Sequence, residues 1–106
     1  MTDARPDPAT GSGNISVHVR IEGRVQGVWY RAWTVEQSTK RHLTGWVRNR
    51  ADGSVEAVFC GPADAVRSMI TACYDGPTFA RVDRIDEESA PALEDRFNGF
   101  EKRPTA

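Results

Sequence analysis

The chain has 106 residues, 39% hydrophobic and 27% charged, with 14 Lys+Arg against 15 Asp+Glu. That length supports one hydrophobic core and not two, and the balanced charge gives no basic surplus to hold nucleic acid. No apolar run approaches the ~20 residues that span a bilayer, and no hydrophobic signal region opens the chain, so a soluble cytoplasmic protein is expected.

Residues 1–14 contain two prolines, two glycines and almost nothing to bury, which predicts a disordered tail outside the fold. A single domain is expected over residues 15–106. In it, Ile15, Val17, Val19 and Ile21 alternate with Ser16, His18, Arg20 and Glu22, the pattern of a half-buried strand. His18 falls on the wet face and reads as a surface residue.

The strand passes into a helical pattern, Trp29 to about His42, through Gly23-Arg24-Val25-Gln26-Gly27-Val28. The two glycines let the backbone turn tightly and come close to a ligand. The first amides of a helix have no internal partner, and the helix dipole adds partial positive charge there. An anion therefore suits the amides of Arg24, Val25, Gln26, Gly27, Val28, Trp29 and Tyr30, with Arg31 in the first turn to meet it. The helix is thin in apolar residues. Tyr30, Trp33 and Val35 help, while Thr34, Ser38 and Arg41 occupy spacings that face the sheet.

Thr44–Arg50 and Ser54–Cys60 read as strands joined at Ala51-Asp52-Gly53, where Asp-Gly signals a hairpin. Alternation puts Val47 and Asn49 on one side of the first strand, with Trp46 and Arg48 on the other. Pro62 suits the first position of a second helix, whose Val66, Met69, Ile70 and Cys73 form an apolar stripe ended by Gly76-Pro77. Ala80–Asp86 is a further strand, and the offset between Val82 and Ile85 predicts a bulge. Glu87–Arg96 reads as an acidic, solvated loop, and Phe97 and Phe100 anchor a short closing segment. Cys60 and Cys73 read as reduced core residues, with one disulfide left open.

Several chemistries fail on spacing. Cys60 precedes Arg67 by seven positions and Cys73 precedes Arg81 by eight, so neither matches a cysteine-dependent phosphate loop. His18 and His42 lie far apart on different elements and cannot seed a zinc site. No Gly-Lys-Ser/Thr follows the glycine loop, which excludes a nucleotide P-loop. Asp83, Asp86, Glu87 and Glu88 read as a charged strand edge rather than a Mg²⁺ site.

What remains is an anion cradle, Arg31 and Asn49, which by themselves also read as a generic glycine turn with a surface arginine and a hairpin-end asparagine. An asparagine can orient a water through its amide but cannot deprotonate it. Such a site suits a substrate with an excellent leaving group. A carboxylic–phosphoric anhydride qualifies, because its leaving carboxylate has a pKa of roughly 4 and departs without a general acid. Phosphoryl transfer of this kind depends on positioning and charge neutralisation.

The string Val25-Gln26-Gly27-Val28-Trp29-Tyr30-Arg31, then Thr44-Gly45-Trp46-Val47-Arg48-Asn49-Arg50 and Asp52-Gly53-Ser54-Val55-Glu56, resembles the acylphosphatase family. The likeness runs from Ile15 to Arg103, with Gly76-Pro77, Ala80-Arg81-Val82 and Gly99-Phe100 in family order. It implies hydrolysis of small acyl phosphates to carboxylate and phosphate without metal or cofactor. Arg31 and Asn49 match the family's catalytic arginine and asparagine. Inorganic phosphate or sulfate is expected to compete, and a monomer is expected. The order β-α-β-β-α-β plus a short fifth strand gives an α+β, ferredoxin-like split βαβ sandwich. Both helices should cover one face of an antiparallel sheet with its first four strands in the order 4-1-3-2, the fifth left open.

Three positions depart from the resemblance. Arg41 stands where relatives carry an aliphatic residue, His42 where they carry glycine, and Lys102 where they often place an aliphatic. Two other functions compete: a non-catalytic anion-binding or regulatory module, and the acylphosphatase-like domain of larger hydrogenase-maturation chains. Presence of both Arg31 and Asn49 argues against the first, and the end of the chain at Ala106 against the second.

Overall fold

The structure is a computed structural model that describes residues 14–90 and 99–106. Its elements are β1 (Asn14–Arg24), α1 (Tyr30–Lys40), β2 (Thr44–Asn49), β3 (Val55–Pro62), α2 (Ala63–Cys73), β4 (Arg81–Ser89) and β5 (Phe100–Lys102). The sheet order is β4-β1-β3-β2-β5. The first four strands thus take the expected 4-1-3-2 arrangement, with antiparallel pairing throughout. The fifth strand settles beside β2 and runs parallel to it, so the sheet is mixed. Among the described residues no helix is long and apolar enough to cross a membrane.

Alternation makes the core. Val17, Val19 and Ile21 of β1, Val47 of β2, Val55, Ala57 and Phe59 of β3, and Ile85 of β4 point to one side. There they meet Tyr30 of α1 and Val66, Met69, Ile70 and Cys73 of α2, all buried. The apolar stripe read for α2 is therefore its packed face. Both cysteines are buried thiols not joined in a disulfide, and burial pushes the Cys73 thiol up to about 12.

Several boundaries move. Asn14 is the first residue of β1 rather than the last of a tail, paired with Pro62, and the rest of that expected tail lies outside the described residues. Pro62 is the N-cap of α2, not its first helical residue, because it still pairs as the last residue of β3. β4 continues past Asp86 to Ser89, where an acidic loop was expected. Val17–Val19 of the longer β1 supply partners for Glu87–Ser89, and an edge strand tolerates acidic residues. The remainder of that loop, and Phe97, lie outside the described residues. The expected bulge is present: Glu22 pairs with Arg84 and Gly23 with Val82, leaving Asp83 as the extra residue.

α1 is held to the sheet side by Tyr30, Thr34 and Ser38, its buried residues at helical spacing. The Thr34 hydroxyl donates to the Tyr30 carbonyl (2.7 Å). Arg41 is half-buried, and its Nε donates to Ser68 Oγ (3.1 Å) on α2. His42 takes φ +58°. Its N–H bonds the Thr39 carbonyl (3.0 Å), and the Leu43 N–H bonds the Ser38 carbonyl (3.0 Å), which together form a Schellman cap. A left-handed residue with a Cβ costs roughly 1 kcal/mol that glycine avoids. His42→Gly should therefore raise the melting temperature by several degrees in a thermal scan, with activity unchanged.

The other face of the sheet carries charge. Glu56 of β3 accepts from His18 Nε2 (2.6 Å), Arg48 Nε (2.7 Å) and Arg50 NH1 (3.1 Å), tying β1, β2 and the hairpin together. Burial raises its pKa, but the three donors outweigh that and pull it from 4.5 to about 2. Asp52, bonded by Ser54 and Arg20, is also held at about 2. A depressed carboxylate contributes stability above its unfolded pKa and loses it as pH falls through the folded one. The melting temperature should thus fall between pH ~5 and pH ~2. Glu56→Gln should lower it at neutral pH and flatten that acid dependence, leaving the part due to Asp52.

Candidate active site

β1 ends at Arg24, and the chain reverses through residues 25–29 before α1 begins. Val25 and Val28 are buried and pin the loop to the core. Gln26 lies between them and reaches across to the hairpin. Its Nε2 donates to the backbone oxygens of both Arg50 and Ser54, at 2.8 Å each. The loop is thereby fastened to the carbonyl next to Asn49.

The two glycines differ in purpose. Gly23 is a strand residue at φ +134°, and a Cβ there would lie 2.2 Å from the Arg81 carbonyl oxygen. Its bareness serves the β1–β4 pairing at the bulge, not a ligand. Gly27, at φ +73°, has no described atom beyond its own chain neighbours within 4 Å of where a Cβ would stand. It faces an open cavity.

Trp29 then caps α1 in the left-handed region (φ 70°, ψ 17°) while 79% exposed. An exposed aromatic held in that strained conformation is the kind of feature that functional sites retain. Trp29 makes no side-chain cap bond, and the first turn of α1 has no acidic residue. The helix N-terminus thus keeps its partial positive charge and unpaired amides. Tyr30 fixes its direction. The buried phenol donates to the Cys73 carbonyl at the end of α2, and its ring packs on Trp33, with centroids 5.4 Å apart. Burial, with the Cys73 neighbour, raises the phenol pKa, so Tyr30 stays protonated.

These elements enclose a cavity of about 310 Å³. Its walls are Val25 and Gly27 from the loop, Trp29, Tyr30, Arg31 and Ala32 from the start of α1, Asn49 from the end of β2, and Lys102 from β5. Arg31 and Asn49, eighteen positions apart in sequence, share one wall-to-wall space. Arg31 is half-buried, and its side chain forms no ion pair or hydrogen bond with another described residue. Arg24, Gln26 and Val28 do not line the cavity, so of the expected cradle only Val25, Gly27, Trp29 and Tyr30 do.

Asn49 is held from both sides. It pairs with Val55 on β3, and its carbonyl accepts the Ala106 N–H (3.0 Å). Arg103 donates its N–H to the Val47 carbonyl (2.8 Å), extending the β5 ladder toward the site. The sequence reading missed two contributors: Gln26 as a side-chain tether, and Lys102 as a cavity wall. Placement of Lys102 two residues after Phe100 on an inward-facing register was the available signal.

A sequence model of the family described as Acylphosphatase matches residues 17–102. The chain belongs to the acylphosphatase family. It is 52% identical over 101 residues to the acylphosphatase of Rhizorhabdus wittichii, covering 95% of this chain and 94% of that one. The acylphosphatase of Rhodospirillum rubrum is 54% identical over 87 residues, covering 82% and 93%. The crystal structure of the Bacillus subtilis acylphosphatase superposes with a TM-score of 0.79 at 35% identity, covering 84% of this chain and 98% of that one. The protein is an enzyme of this family on its ferredoxin-like α+β fold.

Proposed function

We propose that the cavity hydrolyses the carboxyl–phosphate bond of small acyl phosphates by direct attack of a water on phosphorus. The loop and helix-start amides with Arg31 hold the phosphoryl oxygens, and the Asn49 amide aims the water. The water oxygen bonds to phosphorus as the bond from phosphorus to the acyl oxygen breaks. The leaving carboxylate takes that electron pair, and the water's proton passes to a phosphoryl oxygen. Products are a carboxylate and inorganic phosphate. The observation that carries this reading is the meeting of Arg31, Asn49 and an uncapped helix N-terminus in one cavity without a carboxylate in its walls.

The walls hold no carboxyl, imidazole or thiol to serve an alkoxide as general acid. Tyr30 spends its hydroxyl hydrogen on the Cys73 carbonyl. Among the described residues no group of three or more His, Cys, Asp or Glu is placed to hold a metal ion. The protein should hydrolyse acetyl or benzoyl phosphate in the presence of EDTA and leave an alkyl phosphate nearly untouched. Equal turnover of the two classes, or loss on chelation with recovery on adding Mg²⁺ or Zn²⁺, would overturn the mechanism. The same reading takes residues 15–106 as one domain, working as a cytoplasmic monomer on a diffusible substrate.

A further inference from the structure

β5 puts Phe100 on the helix side of the sheet, where its ring stacks on Phe59 with centroids 5.5 Å apart. Two residues on, Lys102 pairs with Val47 and takes the same face, where strand alternation calls for another apolar residue. It is not covered by core. It is exposed and forms a wall of the cavity that Arg31 and Asn49 share. Among the described residues the Lys102 side chain has no ion pair or hydrogen-bond partner. The charged side chains in the cavity walls are Arg31 and Lys102, both cationic.

Arg31 stands at the helix N-terminus, where the amides and dipole already favour the phosphoryl group. Lys102 comes from a different strand, beside the Asn49 side of the cavity. In the proposed mechanism a second cation there has no phosphoryl oxygen assigned to it, and the leaving carboxylate faces outward from the cradle. We propose that Lys102 is a specificity-determining residue that selects acyl phosphates whose acyl group carries a further carboxylate. The exposed ring of Trp29, on the same cavity, offers the carbon skeleton an apolar surface. This inference rests on the acyl phosphate hydrolase reading.

The test compares benzoyl phosphate with 4-carboxybenzoyl phosphate, which differ by one carboxylate, for the parent protein, Lys102→Met and Lys102→Glu. At low ionic strength the parent should favour the carboxylated substrate by roughly two- to fivefold in kcat/KM, through KM and not kcat. Lys102→Met should abolish that preference, and Lys102→Glu should reverse it. Retention of the preference in both variants, its absence in the parent, or an equal loss on both substrates would overturn the proposal. Failure of the parent to hydrolyse either substrate would instead overturn the hydrolase reading, and this one with it.

Discussion

Asn49→Ala should remove most acyl phosphate turnover, by about a hundredfold or more, while phosphate affinity stays within a factor of about two. In the proposed mechanism the side chain touches the water and not the anion, so ground-state binding does not depend on it. The position tolerates truncation. Its structural bonds are backbone ones, the β-ladder to Val55 and the carbonyl bond from Ala106, and alanine keeps them. Calorimetric phosphate binding and phosphate release from benzoyl phosphate, measured on the same preparation, separate the two quantities. A variant that binds normally and still turns over at the parental rate would remove Asn49 from the chemistry.

Arg31→Ala should behave differently, losing phosphate affinity and turnover together. A charge-assisted hydrogen bond contributes ~1.5–3 kcal/mol, so phosphate binding should weaken roughly ten- to a hundredfold. Turnover should fall further, by about another tenfold or more, because the phosphoryl charge shifts as the bonds change and the guanidinium tracks it. Inorganic phosphate should inhibit the parent competitively, and that inhibition should fade in the variant. No other described residue bonds to the Arg31 side chain, so its removal leaves no orphaned carboxylate and the fold should persist. Unchanged inhibition by phosphate would place the anion elsewhere.

Much of this was legible in the chain because the informative features are local. Alternation in Ile15–Glu22 and Ser54–Cys60, the Asp52-Gly53 turn and the stripe from Val66 to Cys73 each follow from a backbone period. Arg31 and Asn49 were singled out by the resemblance of Val25–Arg31 and Thr44–Arg50 to the family, since a glycine turn and a hairpin-end asparagine alone read as ordinary structure. The misses are all non-local. β4 reaches Ser89 only because β1 extends far enough to pair with it, which the acidic composition of Glu87–Glu88 hides. Gly23 looked like a ligand-facing glycine, yet its demand comes from the Arg81 carbonyl across the sheet. Gln26 looked like one amide among several, while its side chain bridges two carbonyls of a hairpin more than twenty positions away. The place of the fifth strand depended on β2 having a free edge, which no period in Phe100–Lys102 encodes.

Which bond breaks is the central claim, and one measurement addresses it. Benzoyl phosphate is hydrolysed by the parent protein in water enriched in heavy oxygen, and the benzoate and phosphate are then weighed by mass spectrometry. Attack of an oriented water on phosphorus puts the heavy oxygen in inorganic phosphate and leaves the benzoate light. Heavy oxygen in the benzoate would mean attack at the carbonyl carbon, and the roles given to Arg31, Asn49 and the helix start would then be wrong.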